Sequence, residues 1–250
     1  MIIGLHDDSF AEISSAPYPL SKLYRDCLSS LTAYVTYNEQ MFQFARSLNP
    51  RAIIVPHPLP ESLVASRDKS SFCSKRVCVG IGSQSTDLAN VMSSAMFAKR
   101  HRRSCDVSLT YEFLGAGSNI DVLQQEWDGL LTFIQRLDTE VYHQALGEFQ
   151  HVVSFTERAC AGRPAVDAVL AGIPYIGTRL AGFQSMIFPE LAIDHWDVSL
   201  ALDLSHRLLR DSGFYKGIMH QAASRLQVII EDQYEMIKQS LVAMDAYSES

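Results

Sequence analysis

The 250-residue chain has no apolar run approaching the roughly 20 residues of a membrane-spanning helix, so no transmembrane segment is expected. It also has no basic excess. Lys and Arg number 21 against 28 Asp and Glu, and a formal net charge of -7 argues against a nucleic-acid binder with its basic face. The opening MIIGLHDDSF lacks the basic start and long apolar stretch of an export signal. Cysteine is scarce: Cys27, Cys73, Cys78, Cys105 and Cys160 are odd in number and form no CxxC motif. They read as reduced, mostly buried thiols of a cytoplasmic protein. No His, Cys and Asp group has metal-ligand spacing, and no P-loop or GxSxG elbow occurs, so neither metal nor cofactor is expected. What is present is ordinary globular content, 47% hydrophobic and 20% charged, which excludes bulk disorder and fills a core without disulfides.

Short apolar runs alternate with longer stretches of helical period, the signature of an α/β fold with a parallel sheet. Strands are predicted over 2–5, 33–36 and 52–55, with helices over 20–31 and 39–47 between them. Periodicity then disappears, and 61–74 reads as a linker. A longer series follows, with strands over 76–80, 107–114, 130–135, 151–155 and 174–178. Its helices are predicted over 87–99, 120–127, 139–149 (with Asp138 as N-cap) and 164–170, the last closed by Gly172. A loop rich in glycine and aromatics runs to 190, and the remainder is helical. There Leu226, Ile230, Tyr234, Ile237, Leu241 and Met244 recur at spacings of three and four and form one apolar stripe. The basic run over 99–103 reads as a solvated helix end, and Trp127 and Trp196 as core.

Ligands of parallel α/β sheets bind beyond the carboxyl ends of the strands. Gly80-Ile81-Gly82-Ser83 makes half of a dinucleotide fingerprint: a strand, a GxG turn, then a helix. Ser85 stands at the third glycine, and no acidic residue ends a second strand about 20 positions on, which disfavours an NAD-linked enzyme. The turn still brings backbone N–H groups towards a phosphate. The segment 154–178 is richer. A strand feeds a polar loop with Arg158, and a helix opens at Gly162-Arg163-Pro164 with Asp167 one turn further in. Free N–H groups, the dipole and Arg163 suit a diphosphate, and Asp167 could accept from ribose hydroxyls. The same spacing also makes a routine i,i+4 ion pair, and spacing alone does not choose.

GRPAVDAVLAGIPYIGT resembles the nucleotide-sugar segment of retaining GT-B glycosyltransferases of the "group 1", or family 4, type. RAIIVPHPLPE is similar to that family's interdomain connection, and AYVTYNEQMFQFAR to the βα unit before it. FLGAGSN resembles the second donor-domain strand, and FIQRLDTEVYHQAL the strand and helix around the base. The resemblance implies transfer of a sugar from a nucleoside-diphosphate sugar to an unknown acceptor, without a metal. Gln135, Arg136 and Leu137 would face the base. Asp167 matches the second Glu of the E-x7-E motif, which holds the ribose, whereas the first falls on Ala159. The usual Arg and Lys after the first donor-domain strand are missing from GIGSQSTD, leaving Arg158, Arg163 or Arg179 to supply the charge. His6, in LHDD, resembles a His-Asp at a strand end facing the sugar and is the catalytic candidate. These departures keep open a second reading, a non-catalytic nucleotide-sugar-binding or partner subunit.

The resemblance also implies a domain plan. A partial N-terminal α/β unit over 1–60 precedes the linker at 61–74 and a Rossmann-like donor-binding domain over 75–214. A helix over 215–250 then crosses back to the N-terminal unit. Because two full halves need about 150 residues each, the N-terminal domain is expected to be truncated. Its exposed apolar edge would be covered by a second copy or a partner chain.

Overall fold

Each of two units carries a parallel sheet: residues 1–63 with 158–161 and 227–250 in one, residues 64–157 with 162–226 in the other. The computed structural model describes residues 3–6, 17–36, 39–55, 59, 74–81, 88–116, 120–157 and 160–248.

In the first unit β1 (Ile3–His6), β2 (Ala33–Thr36) and β3 (Ala52–Ile54) lie side by side in that order, joined through α1 (Tyr18–Ser30) and α2 (Glu39–Leu48). Ile3 pairs with Ala33 and Tyr34 with Ala52. Leu28, Tyr34, Met41 and Ala45 form the core, with Tyr24, Phe44 and Leu48 packed against it. Buried Asn49 donates to the carbonyls of Leu28 (3.1 Å) and Leu31 (3.0 Å) and accepts from the Arg51 N–H (2.9 Å). One amide therefore satisfies two carbonyls at the end of α1 and the N–H that precedes β3.

The second unit runs β4 (Arg76–Ile81), α3 (Leu88–Ser104), β5 (Thr110–Ala116), α4 (Ile120–Glu126), β6 (Thr132–Gln135), α5 (Thr139–Leu146) and β7 (Val152–Val153). It continues through α6 (Arg163–Ala171), β8 (Tyr175–Thr178), α7 (Gly182–Ile187), β9 (Ala192–Ile193), α8 (Val198–Arg210) and the start of α9 (Ser212–Ser248). The strands are parallel in the order β6-β5-β4-β7-β8-β9. Counted from β4, that is the doubly wound order 3-2-1-4-5-6, which reverses between β4 and β7. Helices cover both faces of such a sheet, so its central strands are continuous apolar runs. Val77, Cys78, Val79, Phe113, Leu114, Val152, Val153 and Ile176 are all buried. Burial also pushes the Cys78 thiol up to about 12, so it is inert. Arg76 Nε and Nη2 fork onto Glu112 at 2.7 and 2.8 Å, with the guanidinium 4.8 Å over the Phe149 ring.

A polar cluster is sealed at the amino ends of these strands. His101 Nδ1 lies 2.9 Å from the Tyr111 hydroxyl, while its Nε2 is 2.9 Å from Ser205 Oγ, which is also 2.8 Å from His151 Nε2. His101, His151 and Ser205 are fully buried. Desolvation holds both imidazoles neutral, pushing His101 down to about 4 and His151 to about 3.

Several expectations fail here. The expected loop before 190 holds α7 and a 3-10 turn over Pro189–Leu191, and β9 follows as a sixth strand. Asp138 occupies the N-cap position of α5, but its side chain makes no capping bond. Of the four described cysteines only Cys78 is buried, and Cys27 is exposed. The basic helix end is not wholly solvated, because His101 points inside. Trp196 is 70% exposed rather than core. On α9, Tyr234 is half exposed, and Gln233 takes the buried position instead. Its amide pairs with the backbone of Leu59 in both directions, at 2.9 and 2.7 Å. The side-chain amide carries its donor and its acceptor on separate atoms, which matches the C=O and N–H of one backbone residue.

Candidate functional site

α6 follows β7 and so starts beside the point where strand order reverses. Its boundaries are built into the sequence. Gly162 precedes it with φ 82°, in the left-handed region, and a Cβ there would lie 2.9 Å from Ala181 Cβ. Pro164 sits in the first turn, where no N–H is required. At the far end Gly172 is again left-handed (φ 73°), its N–H bonding Val169 O while Ile173 N–H bonds Ala168 O, a Schellman motif. The approach from β7 is equally constrained. Asn90 Oδ1 accepts from the Phe155 N–H at 3.1 Å, and the Thr178 hydroxyl donates to Thr156 O at 2.9 Å.

Asp167 lies one turn into α6 and is 7% exposed. Arg163 Nε donates to its Oδ1 at 3.0 Å, so the i,i+4 ion pair forms. The same oxygen is 3.3 Å from His143 Nε2 of α5, an approach that no local spacing announces. His143 and Arg163 are each about one-third exposed at the side chain, so the cluster opens to solvent on one side. Tyr142, beside His143 with ring centroids 5.4 Å apart, is held protonated by burial and by the Asp167 charge. The outcome is a buried carboxylate with one oxygen held by two nitrogen donors, next to a glycine-gated helix N-terminus.

The other predicted residues fall as follows. Gln135, at the end of β6, and Arg136 are exposed, and Leu137 is half-buried; all three lead into the helix carrying His143. Arg179, an alternative source of positive charge, is exposed and paired with Asp194 at 3.0 Å. The backbone of His6 ends β1. Gly82, Ser83 and Arg158 lie outside the described residues. His143 was within reach of the sequence, since it sits in the same stretch as the base-pocket motif, but its partner is 24 residues away.

No protein-family model matches the chain, and no curated protein sequence matches it. Solved structures do. A G117R mutant of S. aureus TarM, in complex with fondaparinux, α-GlcNAc-glycerol and UDP, superposes with a TM-score of 0.74 at 11% identity, over 97% of this chain and 50% of its own. The sucrose-phosphate synthase of Thermosynechococcus elongatus gives 0.76 at 14%, over 99% of this chain and 68% of its own. The pneumococcal O-GlcNAc transferase GtfA, in complex with UDP and GlcNAc, gives 0.70 at 10%, over 99% and 53%. The chain thus spans about half the length of TarM and GtfA. At these identities the likeness establishes the fold, the Rossmann-like α/β architecture of GT-B glycosyltransferases.

Proposed function

We propose that this chain binds a nucleoside-diphosphate sugar at the start of α6 and takes part in transferring its sugar to an acceptor. The observation that carries the reading is the placement of Asp167: a buried carboxylate, one turn inside a helix that starts at the reversal of strand order. Its Oδ1 is committed to Arg163 and His143, which leaves Oδ2 to accept from ribose hydroxyls. The helix N-terminus and Arg163 would carry the diphosphate, and residues 135–137 would face the base. Positive charge there favours departure of the diphosphate, which is the main electrostatic demand of glycosyl transfer. His6 remains the proposed catalytic group, and no metal is invoked. UDP accompanies two of the structural neighbours, TarM and GtfA, and is therefore the first nucleotide to test.

A second reading, a nucleotide-sugar-binding subunit without transferase activity, is favoured by Ala159 at the position of the first motif acid. Incubation with a panel of UDP-, GDP- and ADP-sugars and acceptors separates the two: calorimetric binding with product formation supports the transferase, and binding without product supports the subunit. No affinity for any of these nucleotides overturns both. A second copy or a partner chain is proposed to cover the edge of the N-terminal sheet; in the same unit α1 also exposes Tyr18 (76%), Leu20 and Leu23. Light scattering that finds only free monomers overturns that expectation.

A further inference from the structure

The fold brings His206 against two residues of another helix, His101 and Cys105. His101 and Cys105 are four residues apart at the end of α3, and the Cys105 N–H bonds the His101 carbonyl at 2.9 Å. The helical turn therefore continues to Cys105, and both side chains share one face. α8 packs alongside and stacks the His206 ring on that of His101, with centroids 4.8 Å apart and planes at 29°. One imidazole nitrogen of each histidine and the Cys105 sulfur all lie within 4.8 Å of one another. The cluster sits at the amino ends of the strands, the opposite edge of the sheet from the start of α6.

We propose that His101, Cys105 and His206 form a site for one borderline-soft divalent transition ion, of which zinc is the best fit, with water as a fourth ligand. Two imidazoles and one thiolate are the donor set that zinc prefers over harder ions. Bonds of about 2.0–2.3 Å in a tetrahedral arrangement put donors about 3.5 Å apart, so the three atoms must close by about an ångström. Cys105 and His206 are half-buried and can rotate, whereas His101 is fixed inside. The outer partners are already in place. The Tyr111 hydroxyl holds His101 Nδ1 at 2.9 Å, which leaves Nε2 as the nitrogen that would take the ion, and Ser104 Oγ lies 3.1 Å from His206 Nε2. Such oxygen partners fix the tautomer and orientation of metal-ligating imidazoles. Ser205, displaced from His101 by the ion, keeps its bond to His151. The carboxylates of Asp106 and Asp203 act on His206 electrostatically and offset the ion's residual charge, against the opposing Arg210. An ion there would tie the end of α3 to α8 and act on stability rather than on the nucleotide site.

Titration of the reduced full chain with cobalt(II) tests this, because a thiolate ligand gives a sulfur-to-cobalt charge-transfer band and tetrahedral geometry gives intense ligand-field bands. One equivalent should produce both in the wild type and in Cys27→Ser, zinc should displace them, and zinc should raise the melting temperature. Cys105→Ser should abolish the charge-transfer band, and His206→Gln should weaken zinc binding more than about a hundredfold, beyond the loss typical of an outer partner. Both substitutions are at half-buried positions, and nucleotide affinity should stay unchanged. The proposal is overturned if the wild type shows no charge-transfer band, if the band survives Cys105→Ser, or if zinc stabilises that variant as much as the wild type.

Discussion

Near the carboxyl edge of the six-stranded sheet, His143 is about one-third exposed and contacts a charged carboxylate; at the amino edge, His101 and His151 are fully buried and bond to hydroxyls. The same side chain serves opposite ends because the surroundings differ. Desolvation strips the buried pair of charge and makes them structural. The open edge keeps an ion pair, a helix dipole and solvent access, which are what an anionic ligand requires. Changes at the amino edge should lower stability and leave nucleotide affinity alone, whereas changes at the carboxyl edge should lower nucleotide affinity.

The largest expected effect is at the amino edge. Ser205→Ala removes the hydroxyl shared by two buried imidazoles and should lower the unfolding free energy by about 2–4 kcal/mol in urea titrations. Nucleotide affinity should be unaltered; its loss in the folded variant would show that the two edges are coupled. Acid should act through both buried imidazoles, His101 and His151, and the deeper shift is that of His151. Its pKa in the fold, about 3, lies below the ordinary 6.5, so the unfolded chain binds the proton first. The stability it contributes is complete above about pH 6.5 and falls towards pH 3, losing about 2 kcal/mol by pH 5. Equilibrium unfolding at both pH values measures the sum of the two, and His151→Gln should remove its share while His101 keeps its own.

Gly162→Ala acts at the carboxyl edge. It forces a Cβ into a left-handed residue and against Ala181, costing about 1–3 kcal/mol, and should weaken nucleotide binding as well. A melting scan with and without UDP reads both effects. The smallest change is expected at the Glu190–Arg225 pair, at 2.5 Å and partly exposed. Its hydrogen bonds with Arg225 hold the Glu190 carboxyl below its ordinary value, so its contribution exists above the usual carboxylate range and disappears as pH falls through the lowered value. Solvent screening limits it to under about 1 kcal/mol, measurable as the difference between Glu190→Gln and wild type at neutral pH.

Strand and helix order was legible wherever apolar runs alternated with helical period, as from Arg76 to Thr178. β9 was not, because two residues carry no period, and α7 begins inside a glycine- and aromatic-rich stretch. The α6 boundaries were legible because Gly162, Pro164 and Gly172 each answer a local backbone demand. Asp167 was legible with its local partner Arg163, but not with His143, which arrives from another helix. The amino-edge cluster spans 104 residues between His101 and Ser205, so only topology reveals it. Gln233 ran against its own stripe, because a helical apolar pattern cannot anticipate a buried backbone partner.

The central claim is that Asp167 is a ligand-holding carboxylate rather than a packing residue. Calorimetric titration of UDP, GDP and ADP into the wild type and Asp167→Asn, with melting temperatures alongside, tests it most directly. At least one nucleotide should bind the wild type, and affinity should fall at least about tenfold in the variant (about 1.4 kcal/mol) while the melting temperature barely moves. Equal affinity in both proteins, or none in the wild type, would contradict it.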